Sequence, residues 1–134
     1  MDLIKFNNIE PEGKAVGRAE SGKVVFAYGV LPGETAKCRI TSEKKGLIFS
    51  DVEEIVEASP HRMAPREDHY LACSPWQIIE YRYQLELKAQ IIQQAFRRMG
   101  KTEIPAPMVL ESPQPFGTRT KMEYRVVRGR DGAL

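Results

Sequence analysis

Cysteine is scarce in this sequence, net charge is close to balance, and no long apolar run interrupts it. Cys38 and Cys73 are the only cysteines among 134 residues. They lie in different segments and form no CxxC or Cys/His cluster, which argues against a disulfide framework and fits a reducing, cytoplasmic setting. Lysine and arginine number 20 against 18 acidic residues, leaving a formal charge of +2. That total demands no polyanionic partner, so any such partner must be argued from where the charges sit. The opening Met1-Asp2-Leu3-Ile4-Lys5 has no apolar run of signal-peptide length. No stretch approaches the length of a bilayer crossing, so no membrane is expected as a partner. Also lacking is a strand, Gly-rich turn and helix in succession, the unit that cradles a nucleotide cofactor. The length allows one domain or two small ones, and halves below about 70 residues have marginal cores.

The strongest local signal present is a helix, predicted from Ser74-Pro75-Trp76-Gln77 to about Met99. Ser74 suits the N-cap, Pro75 the first helical position, and Gln77 completes a capping box. Ile78, Tyr81, Leu85, Ile92, Phe96 and Met99 recur at helical spacing and define the expected buried side. Gly100 is the expected left-handed C-terminal stop.

Residues 1–58 read as five short strands with tight turns. Val24 to Tyr28 follows the turn Glu20-Ser21-Gly22-Lys23 and predicts a hairpin with Ala15 to Ala19. Leu31-Pro32-Gly33-Glu34 has the residues of a type II turn. Thr35 to Thr41 alternates, with Ala36, Cys38 and Ile40 on one side and Lys37 and Arg39 on the other. Glu43-Lys44-Lys45-Gly46 turns into a long strand, Leu47 to Glu57. Short strands in this density predict a small closed barrel, because closure removes exposed edges. Residues 59–74 form a linker, whose prolines make Ser59 to Pro65 a semi-rigid spacer. Residues 75–134 then hold the helix, a proline-rich loop from Ile104 to Gly117, and a basic hairpin from Arg119 onward. That hairpin's second strand has hardly begun at Leu134, which reads as the front part of a longer protein.

Three stretches in this order resemble one family. Gly13-Lys14-Ala15-Val16-Gly17-Arg18, Gly22-Lys23-Val24-Val25-Phe26 and Leu31-Pro32-Gly33-Glu34 together are similar to the TRAM domain, an OB-like RNA-binding barrel. Ser59-Pro60-His61-Arg62 leads through Cys73 to Tyr81-Arg82-Tyr83-Gln84-Leu85-Glu86-Leu87-Lys88, and Phe116-Gly117-Thr118-Arg119-Thr120-Lys121-Met122-Glu123-Tyr124 follows. The set resembles the N-terminal and early central regions of the SAM-dependent RNA 5-methyluridine methyltransferases, the TrmA-like family. The implied fold is a five-stranded TRAM barrel followed by the start of an α/β central domain. The implied partner is tRNA or rRNA. The implied chemistry, cysteine attack on a flipped uracil and methylation from SAM, belongs to a C-terminal domain that nothing here matches. No catalytic or cofactor-binding residue is therefore carried over, and the chain alone is expected to be inactive. Many members hold a [4Fe–4S] cluster ahead of the helix. Here that region has Cys73 alone, too few thiolates for a cluster, so no iron–sulfur cluster or other metal is expected. The alternative is a stand-alone RNA-binding or adaptor module without catalysis.

The expected RNA contacts are Lys14, Arg18, Lys23, Tyr28, Arg39, Lys44 and Lys45 on the barrel. Arg119, Lys121, Arg125 and Arg128 extend them on the hairpin. With Arg130, these hairpin cations are opposed only by Glu123 before Asp131, and such a face suits phosphates. Five single-strand phosphate contacts would give a salt slope of roughly −3.5. Tyr28, beside Gly29, is placed to stack on a base, whereas Phe26 sits in an apolar run that reads as core. Cys73 reads as a half-buried thiol, Trp76 as a lid on the helix–sheet contact, and His61 and His69 as lacking further metal ligands.

Overall fold

Period-two alternation along five strands closes the first part of the chain on itself. The computed structural model describes residues 2–118. The strands are β1 (Asp2–Ile9), β2 (Ala15–Arg18), β3 (Val24–Ala27), β4 (Thr35–Lys44) and β5 (Leu47–Glu57). They close in the order β1-β2-β3-β5-β4, with β4 returning to β1. All neighbours are antiparallel except β3 and β5. This is the expected five-stranded OB-like barrel. Its interior is filled by Ile4, Phe6, Val25, Cys38 and Ile48, with small residues Ala15, Ala27 and Ala36 between them.

The turns do what their residues dictate. Glu34 N–H returns to Leu31 C=O at 3.2 Å, with Gly33 at φ 90° as a type II turn requires. Lys45 and Gly46, at φ 52° and 77°, make the two-residue hairpin turn between β4 and β5. One expectation on β4 fails. Ile40 was expected inside with Ala36 and Cys38, but it is exposed. From Cys38 to Ile40 the pairing with β5 is regular, so Ile40 keeps the side of Cys38, but it stands at the open mouth of the barrel with Leu3, Ala19 and Ile48 rather than inside it.

The span predicted as a single helix from Ser74 is broken in two, and a further short helix precedes it. A short helix α1 (Tyr70–Cys73) and a 3₁₀ turn (Pro75–Ile78) precede α2 (Tyr81–Met99). The Ser74 side chain caps neither helix, and Gln77 instead donates to Glu67 and accepts from Arg66 N–H. The break has a tertiary cause. Ile79 is extended and bridges Arg62, with Met63 N–H on Ile78 C=O and Glu80 N–H on His61 C=O. Those bonds pull 78–80 out of a helical path and bury Ile78 and Ile79 together. The segment read as a spacer is thus tied to both its neighbours.

Beyond the break, Gln84 to Gln90 are good helix formers and α2 runs unbroken. Its buried stripe is not the predicted one. Leu87 is buried and Tyr83 and Ile91 pack with it against Ile9, Leu31, Ile78 and Ile79. Ile92, Phe96 and Met99 are exposed, and Tyr81 accepts a 2.7 Å hydrogen bond from Ser112 N–H in the loop. Gly100 is not left-handed; Lys101 takes that conformation at φ 51°. Trp76 closes the helix–barrel contact as expected, donating to Pro11 C=O at 3.1 Å. A Cβ on Gly13, at φ 87°, would lie 2.7 Å from Pro75, so this turn requires glycine. Among the described residues, no helix is long and apolar enough to cross a membrane.

Candidate nucleic-acid interface

Strand register decides which of the predicted cations meet. Arg18 lies opposite Val24, Val24 opposite Leu47, and Leu47 opposite Lys44. These four positions form one rung across the outside of β2, β3, β5 and β4. Lys5, next to Arg18 on β1, extends the rung and was absent from the sequence-based set. Lys45 stands at the hairpin tip beside Lys44. Among the described residues none of these cations forms an ion pair, and Arg18 donates to Gly22 C=O at 2.9 Å. A second rung, two residues along, runs Val16, Phe26, Phe49 and Ser42. Beyond it, Lys14 Nζ sits 5.5 Å from the centroid of the Tyr28 ring.

The other two predicted barrel cations, Lys23 and Arg39, face carboxylates, as does Lys37, which was not in the predicted set. Lys23 Nζ is 2.7 Å from Glu43. Arg39 contacts Asp51 and Glu53, both at 2.9 Å, and Lys37 contacts Glu54 at 2.6 Å. The outer side of β4 and the far half of β5 is therefore a mixed-charge surface. Arg119, Lys121, Arg125 and Arg128 lie outside the described residues.

Sequence reasoning missed the most buried charge among the described residues. Glu34 is fully buried, and its carboxylate accepts from Leu31 N–H, Ser59 N–H and the Arg62 guanidinium. Burial alone would raise its pKa; the Arg62 hydrogen bonds and the two backbone donors outweigh that and hold it below the ordinary value. Arg62 also donates to Gly29 C=O at 2.8 Å. The clamp locks residues 59–62 onto the loop that leads from β3 to β4. Burial raises the Cys38 thiol pKa, which suits an inert core residue.

Cys73 is exposed, with His69 and Glu67 close by. One ligand atom of each of the three lies within 4.8 Å of the others. Sequence spacing offers His69 no further metal ligand; the turn into α1 brings Glu67 and Cys73 beside it. One thiolate still falls short of what a four-iron cluster needs.

A closed five-stranded barrel with a cationic rung defines a class of small nucleic-acid-binding folds. The barrel belongs to the TRAM domain family, which is matched over residues 3–52. Beyond the barrel, nearly the whole chain is similar to proteins named RNA methyltransferases. It is 36% identical over 123 residues to an uncharacterized RNA methyltransferase of Gloeobacter violaceus, covering 89% of this chain and 26% of that protein. It is 33% identical over 135 residues to one from Thermosynechococcus vestitus, covering 98% of this chain and 29% of the relative. It is 32% identical over 118 residues to the 23S rRNA (uracil(1939)-C(5))-methyltransferase RlmD of Tolumonas auensis, covering 87% and 27%. The chain thus spans under a third of the length of these curated relatives.

Proposed function

We propose that this chain is the RNA-recognition part of a SAM-dependent RNA (uracil-5-)-methyltransferase acting on ribosomal RNA in the cytoplasm. The observation that carries the reading is the rung joining Lys44 to Arg18 on a TRAM barrel. Backbone and shape recognition ask for such cations and for little base-specific chemistry. The relative named for 23S rRNA favours ribosomal over transfer RNA. SAM would supply the methyl group, but the described residues do not fit it. Their positive-φ glycines lie in turns and loops, none leading from a strand into a helix N-terminus. Methyl transfer is therefore assigned to a part of the protein outside residues 2–118.

The test is binding of this chain to a 23S rRNA fragment and to tRNA at low salt, with a SAM turnover assay alongside. The expected result is binding to both, tighter for the rRNA, and no methyl transfer. Tighter binding to tRNA overturns the choice of RNA, and binding to neither overturns RNA recognition. Methylation by this chain alone overturns the division of labour.

A further inference from the structure

The second rung is unusual for an outer barrel surface. Outward strand positions ordinarily carry polar residues, since they face water. Here register partners on neighbouring strands, Phe26 and Phe49, are both aromatic and both half-buried on the outside. Their centroids are 5.6 Å apart with 22° between the planes. Together with Lys14, Tyr28, Thr41 and Asp51 they line one open groove of about 210 Å³. Cross-strand aromatic pairs can exist for sheet stability alone. This pair differs in what surrounds it. The cations of the first rung lie to one side and Lys14 to the other.

We infer that Phe26 and Phe49, with Tyr28 beside them, form a stacking platform for an unpaired RNA base whose flanking phosphates lie on Arg18, Lys44 and Lys14. The inference rests on the RNA-binding reading above and narrows it to single-stranded segments. Charge layout argues for a base rather than a phosphate in the groove. Asp51 borders it and shares the Arg39 guanidinium with Glu53, which leaves net negative charge there, while the unpaired cations stand on its rims. Aromatic faces reward stacking by any base, so the platform adds affinity without selecting a sequence. A base inside an A-form duplex is stacked on its neighbours and offers no free face, so paired RNA gains nothing here.

The experiment compares a short single-stranded oligoribonucleotide, the same strand with abasic positions, and a blunt RNA duplex, all at one salt concentration. Phe26→Leu and Phe49→Leu keep the apolar volume but lose the ring, and Phe26→Trp keeps stacking. The expected result is about tenfold weaker single-strand binding for each Leu variant, with duplex binding unchanged and the Trp variant near wild type. Abasic positions should weaken binding by the unaltered protein to a similar extent, which settles the matter even where a Leu variant fails to fold. Equal binding of abasic and intact strands overturns the platform. So does a Leu variant that folds and loses single-strand and duplex affinity equally. Failure of the wild-type chain to bind any RNA would instead overturn the reading beneath it.

Discussion

Glu34 keeps its charge without touching solvent because four donor bonds converge on it, two of them from Arg62. Removing one partner of such a pair leaves the other charge and two backbone N–H groups unmet. Glu34→Ala should therefore destabilise the chain by about 3 kcal/mol in urea unfolding. A cost below about 1 kcal/mol would show that the clamp is incidental. The pH dependence has a definite sign. A depressed folded pKa stabilises above the unfolded value of about 4.3, and that contribution is lost as pH falls through the folded pKa. Wild-type stability should thus drop more steeply than that of Glu34→Gln on acidification below about pH 4. None of this was legible beforehand. In the sequence Glu34 is the last residue of a turn, and its partner lies 28 positions away in a segment that reads as a spacer.

At the scale of elements, the helix shows where pattern stops being enough. The apolar residues of α2 make two stripes at helical spacing, one through Tyr83, Leu87 and Ile91 and one through Tyr81, Leu85, Ile92 and Phe96. Periodicity cannot choose between them; packing against Ile9 and Leu31 does. Leu87→Ala should cost about 2–4 kcal/mol, whereas Phe96→Ala should stay within about 0.5 kcal/mol. The reverse order in thermal unfolding would restore the stripe read from the sequence. The helix start failed for a related reason. Ser74 and Gln77 are good local capping residues, but the bridge between Arg62 and Ile79 wins over local preference. The strands were more legible, because each is bounded by turn residues with a single favourable conformation, such as Lys45-Gly46.

Over the whole molecule, small net charge conceals an uneven surface. Lys23, Lys37 and Arg39 are matched by carboxylates, while Lys5, Lys14, Arg18, Lys44 and Lys45 have no ion-pair partner among the described residues. The sequence alone puts Lys23 and Arg39 on the same footing as Lys14, Arg18, Lys44 and Lys45. What separates them is register. A plain two-residue turn at 45–46 would set Arg39 opposite Val52, but a bulge in β4 between Ile40 and Ser42 brings it opposite Asp51. The parallel pairing of β3 with β5 then carries Arg18 and Lys44, 26 positions apart in the chain (44 − 18), onto one rung.

The claim that this rung holds a phosphate backbone is tested most directly by the salt dependence of single-stranded RNA binding. Wild type should lose affinity with log salt at a slope of roughly −2 to −3.5, as three to five phosphate contacts require. Reversing Arg18 and Lys44 to Glu should flatten that slope by about 1.4, while Lys23→Glu and Arg39→Glu should change it far less. A slope that stays the same after reversal at Arg18 and Lys44 would contradict the account.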